Sequence, residues 1–344
     1  MTKDCDISPE KEGSFLQFLY RQLFITPSPV SPEDINLQGK TEIVTGSNGG
    51  IGLECCQQLG DLKLSELILA VRDETKGQEA AATLFKVLPS MSTEVWLLDM
   101  SSYDSIASFV ERTTSLQRLD IVILNAGITR QYFQLDPTTG HEENIQVNYL
   151  STALLALKLF PVLKSKITVQ QQPSRMVIVT TDAAAWTPFP EQNSDPLLPA
   201  FDKPDRVDML NRYYTSKLLQ QFFLIELTKR VPASVAVIVA TTPGFVYGTQ
   251  SQRDLKGTLK GLVGRIGTRI IGYSPEVGAR QLTDAAVKHG SEIHGHYLCS
   301  QKPKPLAPII YTSKGVQISK RLWRETMADP SFTGVEQVLK ELAN

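Results

Sequence analysis

Thr41-Glu42-Ile43-Val44-Thr45 runs directly into Gly46-Ser47-Asn48-Gly49-Gly50-Ile51-Gly52, and apolar residues then recur at helical spacing through Leu62. The first run is short and continuously apolar around Ile43 and Val44, as expected of a strand covered on both faces. The glycines after it let the chain turn sharply. They also let backbone N–H groups and a helix amino terminus come close to a pyrophosphate, whose charge those groups and the helix dipole stabilise. The spacing is Gly-x3-Gly-x-Gly rather than the commoner Gly-x-Gly-x-x-Gly, but strand, turn and helix follow in the order a dinucleotide site requires.

Outward from this unit, four more apolar runs of strand length follow: Ser65 to Val71, Thr93 to Asp99, Leu119 to Asn125 and Ser174 to Thr180. Ser234 to Thr241 supplies a sixth strand, and Gly295 to Ser300 a seventh. Between them, Glu74 to Leu88, Tyr103 to Leu116, Glu142 to Lys164 and Asp208 to Arg230 carry helical spacing. Alternation of strand and helix predicts an α/β fold, a doubly wound parallel sheet of about seven strands, in one domain from about Lys40 to the end. Such sheets bind ligands beyond the carboxyl ends of their strands.

Residues 1–39 read as an extension and linker. Ser14 to Ile25 is apolar but interrupted by Gln17, Arg21 and Gln22, and falls well short of the ~20 residues a membrane-spanning helix needs. It reads either as a helix packed on the domain or on a subunit partner, or as an amphipathic segment resting on a membrane surface. Thr26 to Lys40, with three prolines, reads as the linker. Met1 to Gly13 lacks the pattern of a secretory signal, which predicts a cytoplasmic protein.

The 344 residues balance 35 Lys+Arg against 36 Asp+Glu, so no basic field favours nucleic acid as a partner. Four cysteines, with Cys55 and Cys56 adjacent, make no disulfide framework, and the spacing of His289, His294 and His296 matches no zinc pattern. No metal is expected, and a small molecule is the expected partner. Homo-oligomerisation stays open.

The glycine turn resembles that of the short-chain dehydrogenase/reductase family, and other stretches extend the resemblance from about Lys40 to Ser300. It implies a Rossmann-type fold with cofactor contacts at Gly46, Asn48, Gly50, Ile51 and Gly52. In the family an Asp ending the second strand selects NAD; here Val71 stands there, followed by Arg72. Arg72 offers a guanidinium suited to a 2′-phosphate and Lys76 a second cation, which predicts NADP(H). Asp99 matches the family's adenine contact, and Asn125-Ala126-Gly127 its motif after the fourth strand.

Tyr213 and Lys217 lie four apart on one helix face, so phenol and ammonium can share a site. Reduction of a carbonyl creates an alkoxide that needs a proton, and a cation beside the phenol is expected to lower its pKa toward that task. Tyr214, with Leu218 four residues on, reads as packing. The family's serine position is held by Thr181, which keeps the hydroxyl but adds a methyl and a stiffer χ1. Asn148 matches the family asparagine that holds a water linking the lysine to solvent.

On the substrate side, the proline-rich stretch Trp186 to Phe201 is expected to shape the pocket rim, and Pro243-Gly244-Phe245-Val246 resembles the family's Pro-Gly motif, with Val246 at the nicotinamide carboxamide. The family threonine beyond it is displaced, Gly248 standing there and Thr249 following. Leu255, Leu259, Leu262, Ile266 and Ile270 recur at helical spacing among Lys256, Lys260, Arg265 and Arg269, which predicts a lid within 245–275 over an apolar substrate, with a core helix or a membrane contact as alternatives. The layout is similar to retinol-dehydrogenase-like members and to fungal reductases of secondary metabolism. Carbonyl–alcohol interconversion on a bulky apolar molecule is the expected function. A non-redox isomerase or cyclase and a dinucleotide-sensing protein are the alternatives.

Overall fold

A computed structural model describes residues 5–204, 208–248, 269 and 271–343. The apolar runs form one sheet of β1 (Thr41–Thr45), β2 (Glu66–Val71), β3 (Ser92–Leu97), β4 (Ile121–Leu124), β5 (Ser174–Val179), β6 (Ala236–Thr241), β7 (Tyr297–Cys299) and β8 (Lys302–Lys304). Their order is β3-β2-β1-β4-β5-β6-β7-β8, parallel throughout except for β8, which runs antiparallel to β7. The sheet thus has eight strands among the described residues rather than about seven. β8 is Lys-Pro-Lys, too short and polar to read as a strand. Lysine and proline are suited to an edge strand that must not pair further.

Helices cover both faces. α3 (Gly50–Asp61), α4 (Glu74–Val87) and α9 (Pro275–Val287) place Cys56, Leu59, Leu84 and Leu282 against Val44, Leu69, Ile123 and Val239. On the other face, α5 (Tyr103–Thr113), α7 (Thr152–Gln170), α8 (Met209–Thr228), α10 (Ser313–Ala328) and α11 (Val335–Ala343) pack around Ile43, Ile68, Val122 and Ile178. Successive strand residues point to opposite faces, so β1, β2, β4, β5, β6 and β7 feed both cores, while β3 and β8 at the edges are partly exposed. The helical stretch Glu143–Gln170 is long and apolar enough to cross a membrane, but 89% of its most apolar window is buried here, which makes it a core helix.

The amino-terminal extension carries α1 (Pro9–Glu12) and α2 (Phe15–Phe24), the latter started by Ser14, whose hydroxyl accepts from Gln17 N. The proline-bearing stretch after α2 lies along the domain. Pro27 O accepts from Arg280 Nη1 (3.0 Å), the Ser28 and Gln301 amides bond each other, and Leu37 is buried.

Candidate active site

The strand order reverses between β1 and β4, and a crevice opens at their carboxyl ends, where Gly46 and Asn125 stand. Gly46 has φ +66°, which a side chain would strain, and a Cβ on Gly52 would lie 2.5 Å from Gly46 O and 2.7 Å from Asn125 Nδ2. Asn125 braces the turn, its Nδ2 donating to Thr45 O (2.9 Å) and Gly46 O (3.3 Å). Gly49, the N-cap of α3, provides no side-chain acceptor, so the first N–H groups of that helix are left for the crevice. Gly46, Asn48, Gly50, Ile51 and Gly52 all line it, as do Asp99 and Asn125.

This lining suits a dinucleotide, because an uncapped helix amino terminus and a close-packed glycine turn receive a pyrophosphate without a competing side chain. At the mouth, Arg72 is exposed and makes no ion pair among the described residues. Asp73 has not taken it. Asp73 instead caps α4 through Lys76 N (3.1 Å) and pairs with Lys76 Nζ (2.5 Å). Asp99 Oδ1 accepts from Ser101 N (2.9 Å), which fixes its carboxylate at the crevice wall.

Tyr213 and Lys217 line the same crevice from α8, whose amino terminus is capped by Asp208. Lys217 Nζ donates to Val179 O at the end of β5 (2.9 Å), and burial pushes its pKa down to about 8. Tyr213 differs from the sequence expectation. In the chain alone its hydroxyl is pushed up to about 12, chiefly by burial and then by Tyr214 and Asp182. Removing a phenolate from water is the leading cause, and the Lys217 ammonium is hydrogen-bonded to Val179 O instead.

Asn148 lies in a π-helical turn, Gln146–Ser151, between the short α6 (Glu143–Ile145) and α7, and is fully buried. Its Oδ1 accepts from Ile128 N (2.8 Å), and its Nδ2 donates to Ile128 O and Ser216 Oγ (both 2.9 Å). A Cβ on Gly127 would sit 3.1 Å from Asn148 Oδ1 and 3.4 Å from Lys217 Nζ, so the amide and the ammonium converge over that glycine. The backbone carbonyl of Asn148 accepts from Gln220 Nε2, a contact that no spacing in the chain predicts.

Thr181 follows Thr180, which lines the crevice, while Thr181, Asn148 and Val246 do not. Thr181 Oγ1 accepts from Ala183 N (3.2 Å) and donates to Asp182 Oδ1 (3.3 Å). Val246 is buried and bridges to Tyr273. Leu255, Leu259, Leu262, Ile266 and Ile270, on which the lid was expected, lie outside the described residues, as does Thr249. Within the proline-rich stretch, Phe189 and Phe201 stack in the core, whereas Trp186 meets Phe18 of α2 (4.9 Å between ring centroids) and Tyr214 (6.0 Å). Tyr214 is therefore part of an aromatic contact reaching the amino-terminal helix. His289 bonds Asp284 (2.7 Å) and His294 Nδ1 accepts from Ile238 N, both structural positions; no metal-binding group occurs among the described residues.

The sequence reading missed Arg21, Gln22 and Asp182. Arg21 and Gln22 are buried although they interrupt an apolar stretch, and that interruption was the available signal. Arg21 Nη1 pairs with Glu12 Oε1 (2.6 Å) and Nη2 with Asp182 Oδ2 (3.0 Å).

Residues 40–193 match the family model described as short chain dehydrogenase. The chain is 43% identical over 343 residues to the short-chain dehydrogenase fogG of Aspergillus ruber, covering 98% of each. It is 40% identical over 344 residues to the short chain dehydrogenase/reductase mfmJ of Annulohypoxylon moriforme, covering 99% of each. Among solved structures, L-sorbose reductase of Gluconobacter frateurii, complexed with NADPH and L-sorbose, superposes with a TM-score of 0.59 at 17% identity, over 79% of this chain and 100% of that one. At that identity the likeness concerns the fold alone.

Proposed function

The chain belongs to the short-chain dehydrogenase/reductase family, and from that premise we propose that it is an NADP(H)-dependent oxidoreductase interconverting a carbonyl and an alcohol on a bulky, largely apolar small molecule of secondary metabolism. The observation that carries the reading is that Tyr213 and Lys217 open onto the same crevice as the glycine turn and Arg72. The turn and the start of α3 would hold the pyrophosphate, Arg72 a 2′-phosphate, and Asp99 the adenine side. When bound, the cofactor supplies or takes the hydride.

The remaining chemistry belongs to the chain. Tyr213 gives its proton to the oxygen of the reduced carbonyl, or takes one in the reverse direction. With its pKa pushed up to about 12, the phenol holds its proton at neutral pH, the state that reduction requires. Lys217, held on Val179 O and beside Asn148, keeps a positive nitrogen near the phenol and favours phenolate once the proton has left. The Thr181 hydroxyl supports the substrate oxygen. A reducing, cytoplasmic setting is part of the proposal, in keeping with Cys55, Cys56 and Cys299, buried thiols that form no disulfide.

The test is NADPH consumption by the purified full chain against a panel of polycyclic and aryl ketones, with the alcohol product identified by NMR. Tyr213→Phe is expected to lower turnover by roughly 10²–10⁴-fold and to leave NADPH affinity within a factor of about two. If that variant reduces carbonyls at the normal rate, the assignment is wrong.

A further inference from the structure

Thr181 is followed in the chain by a carboxylate, Asp182, whose two oxygens have different partners. Oδ1 receives the Thr181 hydroxyl (3.3 Å) and Oδ2 the guanidinium of Arg21 (3.0 Å). A bare carboxylate at this place would act against the reaction twice. It would hold the Thr181 proton away from a substrate oxygen, and it would repel the negative charge that develops on that oxygen during reduction. Arg21 offsets the second effect by pairing with Oδ2, while Oδ1 keeps the Thr181 hydroxyl bond and so fixes where that hydroxyl stands. Arg21 is only 3% exposed and is held on its other side by Glu12.

The rest of α2 fixes the geometry. Gln22 accepts from Phe245 N (3.0 Å) and donates to Phe245 O (3.1 Å) and Ile271 O (3.0 Å), tying the segment beside Val246 to the chain before α9. The Tyr273 hydroxyl donates to Arg21 O (2.9 Å), and Phe18 packs on Trp186, which meets Tyr214 beside the catalytic phenol. α2 is thus built against the substrate side of the site.

We propose that Arg21, on the amino-terminal helix, is a positioning residue for the reaction: it holds and neutralises Asp182, fixing the carboxylate on which the Thr181 hydroxyl rests and limiting the negative field at Tyr213. This rests on the oxidoreductase reading, but its central measurement does not. The charged and titratable groups that bear on Tyr213 and Asp182 are Arg21 and Glu12 from the extension, Tyr214 on α8, Tyr273 before α9, and Tyr297 and Cys299 on β7, with Lys217 one turn beyond Tyr213 on α8. Arg21 pairs with Asp182 as well as with Glu12, and the two halves of the Arg21–Asp182 pair can be removed separately.

The experiment replaces Tyr213 by 3,5-difluorotyrosine, whose more acidic phenol titrates in an accessible range, and follows its ¹⁹F shift against pH in the full chain, with and without NADP⁺. Asp182→Asn should lower the titration midpoint and Arg21→Met, which leaves the Asp182 carboxylate without its guanidinium, should raise it. The double variant should return close to the parent, and Arg21→Lys should restore most of the effect. On the Tyr213 background, Arg21→Met should lower kcat about tenfold with KM for NADPH unchanged. Asp182→Asn is nearly isosteric and keeps the Arg21–Glu12 pair, so it reports even if Arg21→Met fails to fold. Midpoints that coincide in parent and Asp182→Asn overturn the proposal. If the midpoints shift as described while no carbonyl is reduced by any variant, the positioning pair stands and the redox reading falls.

Discussion

Arg72 offers the cleanest separation of cofactor recognition from folding, because it has no ion-pair partner among the described residues and lies exposed at the crevice mouth. Replacing it with methionine keeps most of the stem and removes the guanidinium. Two unit charges 4 Å apart attract by about 1 kcal/mol at the dielectric of water and by about 4 kcal/mol at an effective value of about 20, and an exposed arginine lies near the lower end. A loss of about 1–2 kcal/mol is the expectation, equivalent to roughly 5- to 30-fold weaker binding of NADPH. Lys76 should compensate little, since its ammonium is engaged by Asp73 at 2.5 Å. NADH, which lacks the 2′-phosphate, should bind Arg72→Met as it binds the parent, and the melting temperature should not move. Fluorescence titration of both cofactors at low and high salt reads all of this, and the difference between them should shrink as salt screens the charge. Equal weakening of NADPH and NADH, or parent affinity for NADPH in the variant, would refute the assignment of Arg72 to the 2′-phosphate.

Two further outcomes follow from the geometry. Gly52→Ala puts a Cβ 2.5 Å from Gly46 O and 2.7 Å from Asn125 Nδ2, so the turn must move: stability should fall by about 1–3 kcal/mol and NADPH binding by tenfold or more, and an unchanged affinity in calorimetry would show that the turn does not cradle the cofactor. His141 joins Asp202 (3.1 Å) and Asp329 (3.4 Å), and these bonds raise its pKa to about 9 from an ordinary 6.5. A folded pKa above the unfolded one stabilises fully below about pH 6.5 and loses that contribution as pH rises through about 9. The parent should therefore lose up to about 3 kcal/mol across that window and His141→Gln much less; parallel melting curves for the two proteins from pH 6 to pH 10 would exclude the clamp.

Where function was legible in the sequence, its signal was local. The β1–turn–α3 unit is specified by neighbours in the chain: a buried strand, a glycine with positive φ and a helix start without a side-chain cap. The Tyr213–Lys217 spacing likewise needs nothing beyond helical geometry to place both groups on one face. The direction of the Tyr213 shift was not legible, because spacing gives the neighbouring ammonium but not the loss of water around the phenol, which is the leading cause of the shift. The π-turn at Asn148 was hidden for a similar reason, since an extra residue in a helical turn leaves the apolar pattern of Glu142 to Lys164 almost intact.

The amino-terminal helix shows why non-local polar pairing defeats a hydrophobic reading. Leu16 and Phe24 are 78% and 73% exposed, while Arg21 and Gln22 are buried, so α2 packs on the domain through a face containing its charged residue. Burying a guanidinium is tolerable only where its donors are met, and the acceptors come from Asp182, 161 residues away, and from Glu12. Gln22 finds Phe245 at a separation of 223 residues. No periodicity in residues 14–25 encodes those partners. Two adjacent polar side chains in a short apolar stretch are costly if they face the core unpaired, and that cost is what a sequence reading can use: it requires either solvent or a matching polar site. Here the matching site is Asp182, next to Thr181, so the polar pair that buries Arg21 ties the extension to the end of β5.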